Sequence, residues 1–312
     1  MIKLGSAKAI PWKNLSPDGE SVILRRLQDP LFEPPAYYNK EWLDSNAESV
    51  AEALILDCET TGTDAFYCEI IELAAKRVLY NKKTGEFLAI TGSYQAFQEP
   101  KSGHISEEIT ELTGITIDQV KGKSIDWGAF ETLLSPCGVV IAHNAPFDRS
   151  FVDVKSTMSR EKVWACSIDC IKWKAQGMPS AKLELLSVYH GVFSNAHRAM
   201  ADVDVLVHIL AKSRKGDHSE FETNFHELLE RARMPKVRVI AKNSPFDMKN
   251  LLKVKGYLWN AEYKYWFKNL PEAELEAEKA FLKDRIYNGA DLSVVQRIPR
   301  VDVYKTNMSL AG

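Results

Sequence analysis

The stretch that decides the fold is ALILDCETTG, residues 53–62, in which an apolar run ends in two acids, Asp57 and Glu59. The apolar run is typical of a strand that is buried on both faces. Because strand residues two apart face the same side, the two carboxylates project together, with Cys58 on the opposite face. Two acids in this position cost free energy unless a cation accompanies them. A D-x-E pair alone is weak evidence, so its meaning depends on the rest of the chain.

The patterns that follow predict a sheet covered by helices. IIELAAKRVLY (70–80) and EFLAITGSYQAF (86–97) flank the turn NKKTG and predict a hairpin. CGVVIAHN (137–144) predicts a further short strand, after which Asn144 is expected to cap a helix that begins at Pro146. Other helices are predicted at 105–114, 124–134, 167–176, 181–190, 199–213 and 218–232. Strands followed by strand and helix alternation indicate an α/β fold with helices on both faces of the sheet.

The chain is predicted to have four parts. Residues 1–50 form an N-terminal extension that contains five of the thirteen prolines and a short helix from Ser16-Pro17 through ESVILRRL. Residues 51–233 form the main domain. A small C-terminal α+β domain is predicted at 234–287, with the order β-α-β-β-α, and residues 288–312 are predicted to be a tail.

Composition narrows the class of protein. The 312 residues are 45% hydrophobic and 26% charged, as in a soluble globular protein. No apolar run approaches the roughly 20 residues that span a bilayer, and the start lacks the apolar core of a secretory signal, so we expect a cytoplasmic protein without a membrane partner. The five cysteines lack paired CxxC spacing, so we expect reduced, buried side chains. A net charge of −2 limits any affinity for phosphates to a local patch or to bound metal.

Two more acids are placed to join the first pair. Asp148 falls in the first helical turn after CGVVIAHN, at the carboxyl edge of the sheet. Asp202 lies in AHRAMADVDVLVHIL, whose apolar positions predict a helix packed on the core. His197 lies five residues earlier and would be about 140° from Asp202 on one continuous helix. His197 must therefore lie on the preceding loop if both residues serve one site.

Converging carboxylates would require counter-charge. Two divalent cations roughly 4 Å apart would neutralise them and would clamp a phosphodiester for hydrolysis. Oxygen ligands favour Mg²⁺ or Mn²⁺ over Zn²⁺. Histidine, with an unperturbed pKa of about 6.5, is suited to deprotonating the attacking water at neutral pH.

Three motifs resemble those of the DEDD exonucleases, in the branch whose last motif carries histidine. They are DCETTG (57–62), HNAPFD (143–148) and HRAMAD (197–202). That family includes the proofreading epsilon subunit of bacterial DNA polymerase III and stand-alone relatives, and the resemblance covers about residues 52–232. It implies an RNase H-like mixed sheet flanked by helices and metal-dependent removal of nucleoside monophosphates from a 3′ end.

The resemblance also implies residue roles. Asp57, Glu59 and Asp202 would hold one metal ion, Asp57 and Asp148 the second, and His197 would be the general base. The residues expected to contact substrate or to line its pocket are Thr60, Thr61, Gly62, Thr113, Gly114, Ile115, His143, Asn144 and Phe147. For His143 two interpretations stay open, since it either lines the pocket or supports the strand-to-helix turn. Phe147 is expected to pack under the site.

The sequence thus predicts a 3′-to-5′ exonuclease with two Mg²⁺ or Mn²⁺ ions that acts on nucleic-acid 3′ ends, with DNA favoured, in repair or accessory proofreading. One alternative is the same chemistry on RNA ends or oligoribonucleotides, because no residue pattern clearly reads the 2′ hydroxyl. A second alternative, from another class, is a non-catalytic adaptor for a polymerase or clamp. The intact set of five residues opposes that interpretation.

Two further segments suggest partners. Residues 236–270 carry eight Lys or Arg against Asp247 and Glu262, interleaved with aromatic residues, a composition suited to stacking bases beside phosphates. The alternative is that these aromatics form the domain core and the lysines its solvated face. The peptide QDPLF (28–32) keeps the Gln, Leu and Phe of the motif by which replication proteins dock on the sliding clamp. Ordinary packing of Leu31 and Phe32 is the alternative.

Overall fold

The computed structural model describes Ser16 and residues 21–27, 32–195, 197–214 and 219–305. The chain divides into two compact units, Met1–Ala232 with Tyr304–Gly312, here called the large unit, and Arg233–Val303, the small unit. Among the described residues, no helix has both the length and the apolar character needed to cross a membrane. The cysteines are free thiols, and the predicted burial is confirmed for four of them but is wrong for Cys68, which is partly exposed.

A five-stranded mixed sheet forms the centre of the large unit. The strands of this unit are β1 Arg25–Arg26, β2 Val50–Thr60, β3 Ile70–Asn81, β4 Phe87–Phe97, β5 Val139–Ala142, β6 Val163–Cys166 and β7 Val192–Phe193. The sheet order is β4-β3-β2-β5-β6, with β2, β3 and β4 antiparallel and with β5 and β6 parallel to β2. This arrangement confirms the predicted hairpin and the RNase H-like mixed sheet.

Helices cover both faces of that sheet. They are α1 Lys40–Ser45, α2 Glu107–Thr113, α3 Ile117–Val120, α4 Trp127–Leu134, α5 Ala145–Lys155, α6 Thr157–Arg160, α7 Ser167–Cys170, α8 Leu183–Tyr189, α9 Ala199–Leu210 and α10 Asn224–Arg233. Ala53 and Ile55 of β2 pack in one buried cluster with α9, while Leu54 and Leu56 pack in another with α4 and β6. Burial on both faces explains why the run before Asp57 is continuously apolar.

Three local predictions in the large unit are wrong. Arg25–Arg26 of ESVILRRL form a strand parallel to Val192–Phe193, because the backbone there bonds to β7 and Leu27 is buried. The helix predicted at 167–176 breaks after Cys170 into a 3₁₀ turn, since the Lys172 amide donates to the buried Glu227 carboxylate. The helix predicted to begin at 218 begins at Asn224, after a β-bridge between Ser213 and Thr223.

The small unit is an antiparallel sheet with helices on one face. Its elements are β8 Lys236–Ala241, α11 Lys249–Val254, β9 Leu258–Asn260, β10 Tyr265–Pro271, α12 Leu275–Phe281 with a π-helical turn Leu282–Ile286, and β11 Ser293–Ile298. The strand order is β11-β8-β10-β9. The prediction of a tail from 288 is therefore wrong at β11, which pairs with β8 and packs Val295 on the core. The segment SVVQRI lacks the strict alternation that marks a strand in sequence.

The aromatic residues of the small unit divide between core and surface. Tyr257, Tyr265 and Trp266 are buried, whereas Trp259 and Tyr263 are exposed. The core interpretation is confirmed for the buried rings, and nucleic-acid contact by the exposed rings stays a prediction.

Within the clamp-like peptide QDPLF, residues 28–31 lie outside the described residues. Phe32 packs on the core of the large unit, with its ring centroid 5.8 Å from that of Phe87. Clamp docking stays a prediction.

Candidate active site

Strand β2 delivers the first two acids. Asp57 and Glu59 lie opposite Ala74 and Glu72 of β3, on the sheet face that α9 covers. Cys58, between them, packs in the opposite cluster, as the strand period requires. The strand end therefore presents both carboxylates toward the helix that carries Asp202.

Helix α5 supplies the third acid. Asn144 has the left-handed φ of 76° that turns the chain from β5 into the helix, which begins at Ala145. The predicted side-chain cap is wrong, because Asn144 occupies the N-cap position without a capping side-chain bond. Asp148 is buried, and its Oδ1 accepts a hydrogen bond of 3.0 Å from the Cys58 amide, between the two acids of β2. Its buried Oδ2 accepts no hydrogen bond from any described residue.

Helix α9 and the loop before it supply the last two members. Asp202 lies in the first turn of α9, and its Oδ2 accepts a 3.1 Å bond from the His197 amide. His197 has a φ of 60° and lies outside the helix, as its spacing from Asp202 required. The His197 Nε2 lies 3.0 Å from Oε1 of Glu184 on α8. One ligand atom each from Glu59, His197 and Asp202 lie within 4.8 Å of one another.

The pKa values of the site acids are displaced upward. Burial raises the pKa of Glu59 to about 8, and the nearby charges of Asp202 and Glu72 add to it. Burial raises the pKa of Asp202 to about 6, against the hydrogen bond and charge of His197. Burial also raises the pKa values of Asp57 and Asp148 well above their ordinary range; for Asp57 the neighbouring carboxylates add to the effect. Without cations, this cluster holds protons that ordinary carboxylates would release.

Sequence reasoning missed Glu72, a wholly buried carboxylate of β3. It accepts hydrogen bonds from Gln95 Nε2 at 2.6 Å, from Arg198 Nε at 3.2 Å and from the Ala199 amide at 3.3 Å. The bonds from Arg198 and Ala199 attach the start of α9, between His197 and Asp202, to the sheet. A single acid inside the apolar run IIELAAK was the available signal. Glu184 was missed as well, and its exposed position on a helix offered no comparable signal.

The residues after Glu59 shape a loop at the end of β2. Thr60 Oγ1 donates to the Gly62 carbonyl at 2.6 Å, and Thr61 Oγ1 accepts from the Glu69 amide at 3.0 Å. A Cβ added at Gly62 would lie 2.7 Å from Cys68 Sγ, so a side chain there would displace Cys68. The predicted contact of Thr60, Thr61 and Gly62 with substrate stays a prediction.

His143 and Phe147 have structural contacts at the start of α5. His143 Nδ1 lies 2.6 Å from Ser167 Oγ at the beginning of α7, and burial lowers the pKa of His143 to about 4. Phe147 packs at the edge of the core, with its ring centroid 5.1 Å from that of Phe151. The His143 contact joins the end of β5 to the start of α7. Both interpretations of His143, and the expected place of Phe147 at the substrate pocket, stay predictions.

The segment 113–115 is mostly internal. Thr113 is buried and donates to the Ile109 carbonyl at 2.8 Å, and Ile115 has no accessible surface. Gly114 is exposed and ends α2 with a φ of 68°. Of the three residues expected to line the terminal base, Gly114 alone is exposed, and the expectation stays a prediction.

Known proteins were found that are similar to this chain in sequence. A family model described as exonuclease (RNase T) matches residues 54–210. The PolC-type DNA polymerase III of Bacillus subtilis is 31% identical over 241 residues, covering 72% of this chain and 16% of that protein. The enzyme of the same name from Listeria welshimeri is 29% identical over 240 residues, covering 71% and 16%. The chain spans about one sixth of the length of these relatives.

Solved structures overlap less closely. The nuclease domain of 3′hExo, a DEDDh family member bound to rAMP, is 22% identical with a TM-score of 0.40, and the match covers 55% of this chain and 95% of that one. The zinc-bound complex of Escherichia coli ExoI with single-stranded DNA is 16% identical with a TM-score of 0.44, covering 80% and 64%.

Proposed function

The chain belongs to the exonuclease family, and we propose that it is a metal-dependent 3′-to-5′ exonuclease that hydrolyses terminal phosphodiesters of DNA. The observation that carries this proposal is the convergence of Asp57, Glu59, Asp148 and Asp202 from three distant segments at one end of β2, with raised pKa values throughout. Structural carboxylates in a fold usually have paired cations or hydrogen bonds that keep their pKa values low. Carboxylates whose pKa values are raised by burial and by neighbouring negative charges are typical of a functional site.

The donor set fits two divalent cations. Glu59 and Asp202, with Asp57, would hold one ion, and Asp57 with Asp148 the other. The buried Asp148 Oδ2, which accepts no hydrogen bond from the described residues, is the oxygen most in need of a cation. Carboxylate oxygens favour Mg²⁺ or Mn²⁺. Bound ions would neutralise the carboxylates and stabilise charge on the phosphodiester during in-line displacement.

His197 is the candidate general base. It lies on the loop that precedes α9, its side chain is partly exposed, and its amide is fixed by Asp202. Its Nε2 lies 3.0 Å from Oε1 of the exposed Glu184, which belongs to α8. Glu184 would thereby orient the imidazole.

The choice of DNA rests on the sequence relatives, which are DNA polymerases that this chain matches over 241 and 240 residues. RNA remains the rival substrate, because the site residues act on the phosphodiester that both polymers share. Proofreading for a polymerase, with or without a clamp, is proposed on the same ground, namely the similarity to DNA polymerases. The complete set of five residues opposes a non-catalytic adaptor.

A side-by-side digestion tests the proposal. End-labelled DNA and RNA of one sequence, and a mismatched primer-template, are incubated with Mg²⁺, Mn²⁺ or EDTA. We expect stepwise shortening from the 3′ end, faster on DNA and absent in EDTA. Faster loss of RNA would overturn the substrate choice, and cation-independent digestion would overturn the metal assignment.

Matched variants test the residues. We expect His197→Ala and Asp202→Asn to lower turnover by about 10²-fold or more while nucleic-acid binding survives. Glu161→Gln, an exposed acid at the end of α6, is the control and should digest as the wild type does. Wild-type turnover by both site variants would show that the assignment is wrong.

A further inference from the structure

We propose that the small unit binds an unpaired nucleic-acid strand on a surface formed by Phe246, Lys249, Lys253 and Trp259, here called the aromatic-basic surface. The inference rests on the proposed function only in taking nucleic acid as the substrate. It adds a second contact, outside the acidic site, and it specifies single-stranded nucleic acid.

The surface is continuous through the contacts of α11. Lys249 and Lys253 are four residues apart on this helix and so share one face. Lys249 Nζ lies 4.0 Å from the centroid of the Phe246 ring, and Lys253 Nζ lies 6.0 Å from that of Trp266. The Trp266 ring in turn contacts Trp259, with centroids 5.3 Å apart. Three aromatic rings, two of them exposed, and two ammonium groups thus follow one another along the unit.

The rings of Phe246 and Trp259 are exposed to solvent and are not part of the core of the small unit. Phe246 is 79% exposed and Trp259 is 49% exposed, whereas Trp266 beneath it is buried. Trp259 belongs to β9, one of the two edge strands of the sheet in its described part. Large exposed aromatic rings cost free energy in water, and each has a face on which a base could stack.

The charges favour an anionic occupant. Within the described residues, Lys249 and Lys253 have no acid within ion-pair distance, while Lys268, Lys279 and Arg297 of the same unit are paired with glutamates. Helix α11, KNLLKV, contains no acid, and Asp247 is the acid adjacent in sequence to Phe246. Unpaired lysines beside exposed rings are the combination by which proteins hold a single strand, with phosphates on the lysines and bases on the rings. A duplex would offer the same phosphates but no free base faces.

Binding is measured on the full chain in EDTA, by fluorescence anisotropy of a labelled oligothymidylate of about 20 nucleotides and of a blunt duplex of equal length. We expect Trp259→Ala and Phe246→Ala each to weaken single-strand binding about 5-fold or more, with little effect on the duplex. Trp259→Phe, which keeps a ring, should recover most of that loss. The exposed Leu292→Ala of the same unit is the apolar control.

Salt dependence separates the lysines from the rings. We expect the double variant Lys249→Gln, Lys253→Gln to reduce the slope of log affinity against log salt by about 1.4, or about 0.7 for each single-strand phosphate contact. Lys279→Gln, whose lysine is paired with Glu276, should leave the slope unchanged. Thermal unfolding of each variant checks that the fold is retained.

Wild-type affinity in both aromatic variants, or equal losses on single strand and duplex, would overturn the inference. An unchanged salt slope in the lysine variant would do the same. Because the titration is carried out without divalent cations, it is independent of hydrolysis. Failure of the wild type to digest DNA in Mn²⁺ would contradict the proposed function and leave this result intact.

Discussion

Replacing Glu59 by Gln should stabilise the metal-free protein while it removes activity. The carboxylate is buried beside Asp202 and Glu72, and its pKa rises from 4.5 to about 8. A raised carboxyl pKa contributes stability that is complete below pH 4.5 and is lost as the pH rises through 8. Glutamine keeps the shape of the protonated acid but cannot ionise, so the variant avoids this loss.

The magnitude follows from the displaced pKa. Keeping Glu59 protonated in the fold, against a value of 4.5 in the unfolded chain, costs about 3 kcal/mol at pH 7 and approaches about 5 kcal/mol above pH 8. For a unit of this size, about 3 kcal/mol corresponds to a rise in Tm of about 6 to 12 °C. The difference between variant and wild type should vanish near pH 4.

The assay is thermal unfolding in EDTA at pH 4, 7 and 9, with digestion of a labelled oligonucleotide in Mn²⁺ run in parallel. We expect Glu59→Gln to unfold at a higher temperature at pH 7, to gain further at pH 9, and to lose about 10²-fold or more in turnover. Glu161→Gln, exposed on the surface, controls for loss of a negative charge. Equal Tm values for wild type and Glu59→Gln at pH 7 and 9 would refute the electrostatic reasoning.

Three further outcomes are expected. Mn²⁺ should raise the Tm of the wild type more at pH 8 than at pH 5.5, because the pKa values of about 8 for Glu59 and about 6 for Asp202 make protons compete with the cation at the lower pH. An equal rise in Tm at the two pH values would contradict the ligand assignment. Glu72→Gln should lower kcat and Mn²⁺ affinity about 10-fold with less change in KM, because the substitution loosens the attachment of Arg198 and Ala199 to the sheet. Glu72→Asp should recover part of the loss, and a wild-type kcat in Glu72→Gln would show that Glu72 does not position the site. Gly62→Ala should lower activity and leave the global Tm nearly unchanged, because the new Cβ would displace Cys68 only within the loop that follows β2; wild-type activity would show that this loop does not act on substrate.

The part of the site that could be predicted is the part in which acidic residues follow the two-residue period of a strand. The end of β2 pairs a continuous apolar run with two acids at the spacing of one strand face, so the shared orientation of Asp57 and Glu59 follows from the residue order alone. The five-residue separation of His197 from Asp202 likewise required the loop position that the structure has. Periodicity carries this information because it depends on local geometry alone.

The rest depends on contacts between segments far apart along the chain. Glu72 gains its importance from its register opposite Glu59 and from its bond to Arg198, and neither can be derived from IIELAAK. The pairing of Arg25–Arg26 with β7 and of β11 with β8 also depends on distant partners that supply backbone bonds. Such tertiary pairing overrides local propensity.

The most direct test of the central claim is the anomalous diffraction of Mn²⁺ in crystals of the protein. We predict two peaks at the end of β2, one at ligand distance from Glu59 and Asp202 and one from Asp148, with Asp57 at both. In Asp148→Asn crystals, the peak at residue 148 should weaken or vanish. A map that leaves this cluster empty at saturating Mn²⁺ would contradict the account.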